Sequence, residues 1–181
     1  MSFLSLLGRS SKTLHPLYFI ATVSVFFCIA VYAEAPLSKE NKLKAAYLLN
    51  FIRFIEWPAK AESKSPTTVR VCVDTPSEFQ QFFSQLVDGR RVGPLQSKVT
   101  VVSFTAGSTC DLLYIQGKDK PAFEQVDNVV VVADSGNLSV PSAVILFYSE
   151  NRKLRFEIYL EKIKKLNIIV SSELMKLARL K

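Results

Sequence analysis

The chain has 181 residues, 49% of them hydrophobic, and its 23 basic residues against 16 acidic ones give a formal net charge of +7. Among its six glycines only Gly89 and Gly93 form a close pair, so neither type of phosphate-cradling glycine loop is present, which argues against nucleotide hydrolysis. The single histidine, His15, lies in the opening segment, so a Ser-His or Cys-His nucleophile pair in the rest of the chain is excluded.

Arg9, Lys12 and His15 precede an uncharged run from Pro16 to Ala33, the layout of a secretory signal peptide. Val31 and Ala33 supply the small side chains expected before a cut between Ala33 and Glu34. Residues 1–33 are therefore expected to be a cleaved leader. The other reading is a retained membrane anchor, because an uncharged run of about 18 residues comes close to spanning a bilayer. Cleavage removes His15 and Cys28, which also excludes histidine-bearing zinc sites and leaves 21 basic against 16 acidic residues, a net charge near +5. Only Cys72 and Cys110 then remain, in a compartment that oxidises thiols, and they read as one disulfide. Two buried, reduced thiols are the alternative.

Residues 34–41 read as a polar mature tail, and residues 42–181 as one compact domain, the usual outcome for a chain of this size. "KAAYLLNFIRFIEWP" has helical spacing from Lys42 to Trp57, with Ser38 or Asn41 as the cap and Pro58 as the stop. "AKAESKSPTT" is a surface loop. "VRVCV" (69–73) is a strand, and Asp74, Thr75 or Ser77 starts a second helix with Phe79, Phe82, Phe83 and Leu86 on its apolar face. After the turn "DGRRVG", "KVTVVSF" (98–104), "CDLLYIQ" (110–116) and "NVVVVAD" (128–134) are further strands, the last two separated by a short helix in "KDKPAFEQV". "AVILFYS" (143–149), "ENRK" and "LRFEIYL" (154–160) form a hairpin. Ser171 or Ser172 caps a last helix whose Leu174, Leu177 and Ala178 face inward. The fold class is α/β: a mixed, partly parallel sheet flanked by helices, with a C-terminal hairpin plus helix.

On its wheel the first helix carries one narrow polar stripe, Asn50, Arg53 and Glu56, with apolar residues on the remaining sides. Either the helix is central to the domain or part of it docks on another chain. Arg53 and Glu56 are placed to pair as helix neighbours. Trp57, beside Phe54 and Pro58, is either a ligand or partner anchor or ordinary core. Arg90 and Arg91 are either an anion patch or a solvated turn. Basic residues from Arg152 onward alternate with Glu150, Glu157, Glu161 and Glu173 and read as a solvated face, with no nucleic-acid role. Glu56, Asp74, Asp111, Asp134 and Glu157 form no acid–base pair that the sequence can identify.

"KAAYLLNFIRFIEWP" (44–58), "CDLLYI" (110–115), "LRFEI" (154–158) and "SSELMKLA" (171–178) together resemble the YfiR family of small periplasmic proteins. The resemblance implies an α/β domain that tends to dimerise and a non-enzymatic role, the repression of an inner-membrane diguanylate cyclase through its periplasmic region. That role lowers cyclic di-GMP and biofilm formation, and needs no cofactor. Cys72 and Cys110 match one disulfide of the family. Pro141, Ser142 and Ala143 stand where paired glycines are common, Tyr159 replaces a frequent asparagine, and a second cysteine pair around the hairpin is absent. The expected docking anchors are Arg53, Phe54 and Trp57. A second expectation is a small-ligand sensor whose pocket gathers Arg53, Glu56 and Arg155 near the end of the first helix.

Overall fold

Ser38 opens the first helix, its Oγ accepting a hydrogen bond from the Asn41 N–H at 3.1 Å. The computed structural model describes residues 36–57, 68–93, 95–116, 128–134 and 140–181. The expected leader, the loop after Trp57 up to residue 67, and the helix in "KDKPAFEQV" lie outside these residues.

Helix α1 runs Lys39–Phe54, three residues earlier at each end than its sequence spacing predicts. The chain turns extended at Ile55 (φ −101°, ψ 127°), and β1 (Ile55–Glu56) pairs antiparallel with β9 (Ile169–Val170). Pairing with β9 and the stiffness imposed by Pro58 end the helix before Trp57. The remaining elements are β2 (Thr68–Asp74), α2 (Ser77–Val87), β3 (Arg91–Val92), β4 (Ser97–Ser103), β5 (Leu112–Ile115), β6 (Val130–Asp134), β7 (Ile145–Glu150), β8 (Lys153–Ile158), α3 (Leu160–Lys165), α4 (Ser172–Leu177) and β10 (Arg179–Leu180). β1, β3, α3, β9 and β10 have no counterpart in the sequence reading. Their lengths of two to six residues are too short to show a period.

The main sheet has the order β10-β8-β7-β6-β5-β2-β4-β3. β7, β6, β5, β2 and β4 are mutually parallel, and β8 is antiparallel to β7. Relabelled by their place in the chain, these five parallel strands follow the order 2-1-3-4-5 of many doubly wound sheets. The sheet is thus mixed and mostly parallel, as the alternation of strands and helices implies.

Strand alternation sorts the core onto two faces. One face carries Val71, Val73, Leu112, Tyr114, Val130, Val132, Phe147 and Phe156 beneath α1 and α2; the other carries Cys72, Leu113, Ile115, Val131 and Ala133. α1 contributes Ala45, Leu48, Leu49, Phe51 and Ile52 to the first face, all buried. The Phe51 ring lies 4.9 Å from that of Phe156, edge to face, and 5.6 Å from that of Phe147. Of the two readings of its wheel, the helix is central to the domain.

Three local expectations change. α2 starts at Pro76 with no side-chain cap: the N–H groups of Phe79 and Gln80 bond to the Pro76 carbonyl instead. Ser171 does cap α4, accepting from the Leu174 N–H, but Leu177 is 65% exposed. The inward stripe is Leu174, Met175 and Ala178, about 100° around the helix from Leu177. The hairpin turn is the two residues Asn151 and Arg152 rather than four, with φ of 50° and 61°. Positive φ at both central positions is the tight turn that matches strand twist, and it is achieved here without glycine.

Candidate functional site

The C-terminal end of α1 places Arg53 outward, with its guanidinium 5.8 Å from the centre of the Phe54 ring. Phe54 is half-buried against the core, and Glu56 projects from β1 into solvent. Trp57 is also half-buried, and its indole Nε1 donates to the Ile52 carbonyl at 3.1 Å. That bond satisfies one of the carbonyls left open at the helix end and fixes the ring. Ile169, opposite Glu56 in the β1–β9 ladder, is 62% exposed. Arg53, Phe54, Glu56, Trp57 and Ile169 therefore lie at the end of α1 and in the short β1–β9 ladder, two half-buried aromatic rings and an exposed isoleucine among charged neighbours.

The expected Arg53–Glu56 ion pair is absent among the described residues, because Glu56 has left the helix and the (i, i+3) geometry with it. Arg155 is not beside these residues. It sits opposite Tyr148 in the β7–β8 ladder, between Leu154 and Phe156, which face α1, so alternation sends it to the other face of the sheet. A pocket gathering Arg53, Glu56 and Arg155 does not form. Tyr148 on that second face holds the Arg179 guanidinium 4.3 Å from its ring centre, and Arg179 pairs with Glu150 at 2.5 Å.

Arg53 instead lines a cleft of about 230 Å³ with Leu49, Arg90, Arg91 and Val92. The turn "DGRRVG" and the helix end, distant in sequence, meet there.

Cys72 and Cys110 form a disulfide with a Cα–Cα distance of 5.7 Å, on the sheet face opposite α1. It ties β2 to the approach of β5. Asp111 Oδ2 accepts from the Arg70 N–H at 2.7 Å and strengthens the same junction.

At the carboxyl ends of the parallel strands lies a polar cluster that the sequence reading passed over. Lys44 is buried, and its Nζ lies 2.8 Å from both Glu40 Oε1 and Asp134 Oδ2. The Tyr114 hydroxyl donates to Asp134 Oδ1 at 3.3 Å, and Gln116 Nε2 donates to Asn41 Oδ1 at 2.8 Å. Burial alone would lower the Lys44 pKa, but the hydrogen bonds and charges of Asp134 and Glu40 outweigh it and hold the pKa above its ordinary value. Burial first, and then the Asp134 carboxylate, push the Tyr114 phenol well above its usual range. Two signals were available: Lys44 shares the buried line of Leu48 and Ile52, and Asp134 continues the inward alternation of Val130 and Val132.

Among the described residues no three His, Cys, Asp or Glu side chains are placed to hold a metal ion. No helix among them is long and apolar enough to cross a membrane. These features define an α/β domain whose buried lysine is committed to structure and whose surface carries half-buried aromatic and exposed basic groups at the end of α1. The chain belongs to the YfiR/HmsC-like family, whose pattern it matches over residues 41–179. No curated protein matches it. The family suggests a periplasmic regulator of cyclic di-GMP signalling; it is regulatory and non-catalytic, and implies contact with a membrane signalling partner.

Proposed function

We propose that the protein is exported by its leader, residues 1–33, and represses an inner-membrane diguanylate cyclase by binding its periplasmic region, lowering cyclic di-GMP and biofilm formation. The observation that carries this reading is the family match across residues 41–179. The surface at the end of α1 supports it. Arg53, Phe54 and Trp57 are of the residue types that dominate interface hot spots, and both aromatic rings are held by core contacts before any partner arrives. Glu56 and the exposed Ile169 complete the docking surface; a homodimer is a further arrangement for it. The test is cellular cyclic di-GMP after deletion of the coding sequence and after its restoration. A rise that restoration reverses is the expected result, and an unchanged level refutes repression.

A second reading, a periplasmic small-ligand sensor, is favoured by the cleft beneath Arg53.

A further inference from the structure

Arg53, Arg90 and Arg91 line one cleft, and none of them forms an ion pair among the described residues. Three other basic residues are paired: Lys44 with Glu40 and Asp134, Lys164 with Glu161, and Arg179 with Glu150. Cations gathered without a counter-charge repel one another, and that repulsion is relieved by a bound anion.

The backbone sets this arrangement. Gly89 and Gly93 both adopt positive φ, 65° and 67°, which brackets the arginine pair between two reversals that other residues resist. Arg90 Nε donates to the Leu86 carbonyl at 2.6 Å, and Arg91 Nη1 donates to the Gln96 carbonyl at 3.1 Å. Each bond fixes a guanidinium and uses one of its five N–H donors, leaving the others for a ligand. Forked, pre-positioned guanidiniums suit the paired oxygens of phosphate or carboxylate. Leu49 and Val92 supply the apolar wall. At about 230 Å³ the cleft is smaller than the roughly 300–1,000 Å³ typical of drug-sized ligands, which selects a small anion over a nucleotide.

We infer that the cleft of Arg53, Arg90 and Arg91 is a binding site for a small, doubly charged oxyanion, a phosphate group or a short dicarboxylate. The inference deepens the sensor reading and is independent of cyclase repression, because binding is measured on the isolated protein. The experiment is isothermal titration calorimetry of the purified protein with sodium phosphate and, separately, sodium succinate, at constant ionic strength set with sodium chloride. Phosphatidylglycerol vesicles form a third arm. Saturable one-site binding of either soluble anion, weakened at least tenfold by Arg90→Gln with Arg91→Gln and again by Arg53→Gln, is the expected result. These side chains are exposed, so the variants melt at the parent temperature without anion. Should the double variant fail to fold, Arg91→Lys, which keeps the charge and loses the fork, weakens binding severalfold. Absence of saturable binding, equal affinity in the variants, or binding to the vesicles alone overturns the inference.

Discussion

Lys44 Nζ and Asp134 Oδ2 lie 2.8 Å apart, joining the first helix to the end of a strand 90 residues later. Both partners are largely withdrawn from water, with side-chain exposures of 7% and 21%. Removing one member of such a pair leaves an uncompensated charge, which costs about 3–5 kcal/mol, whereas replacing both with apolar groups is far milder. Lys44→Met is therefore expected to destabilise the domain by about 3 kcal/mol in urea unfolding. Lys44→Met combined with Asp134→Leu is expected to recover most of that loss, and an additive double-variant cycle would refute the coupling.

The same cluster sets an alkaline limit. The folded pKa values of Tyr114 and Lys44 are raised above 10.0 and 10.5, so the unfolded chain loses these protons first as pH rises. Their stabilisation is complete below those values and is lost above them. The melting temperature is expected to be insensitive to these two groups at neutral pH and to fall from about pH 10 upward. Tyr114→Phe should flatten that decline.

The Cys72–Cys110 disulfide spans a sequence separation of 38 residues and holds the end of β2 with α2, β3 and β4 within its loop. By loop entropy it contributes on the order of 4 kcal/mol. Reduction, or replacement of both cysteines by alanine, is expected to lower the urea midpoint accordingly. A shift below about 1 kcal/mol would show that loop entropy is not what this bond supplies.

Trp57→Ala separates anchor from core. The half-buried ring and its bond to the Ile52 carbonyl imply a moderate loss of stability, about 1–2 kcal/mol, with a cooperative melt retained. If Trp57 is the docking anchor of the proposed repression, its loss is expected to raise cyclic di-GMP. A variant that no longer melts cooperatively would make the residue core and remove it from the docking surface.

Arg152 at φ 61° occupies a conformation that costs an L-residue about 1 kcal/mol and glycine almost nothing. Arg152→Gly is expected to stabilise the hairpin by a few tenths to 1 kcal/mol, read as a raised melting temperature.

The parallel core was legible because "VRVCV", "CDLLYI" and "NVVVVAD" are short apolar runs bounded by turn residues, as strands buried on both faces tend to be. The second sheet, β1 with β9, was not, since a two-residue strand has no period of its own and exists only through its partner. Composition and spacing singled out Arg53, Phe54 and Trp57, and the structure keeps these three together. They also grouped Arg155 with them, and one step of strand alternation separates it. Arg90 and Arg91 were legible as a basic turn, but their meeting with Arg53 is a tertiary fact that sequence spacing does not encode.

Open parallel sheets commonly receive their ligands in the crevice outside the carboxyl ends of the strands, where the strand order reverses. Here Asn41 and Lys44 of α1 reach those ends, bonded to Gln116 just beyond β5 and to Asp134 of β6. The protein's own first helix thus occupies part of that edge, over the ends of β5 and β6. A ligand approaching those two strand ends would meet a helix already bonded there, and would have to compete with the chain's own side chains for the same partners.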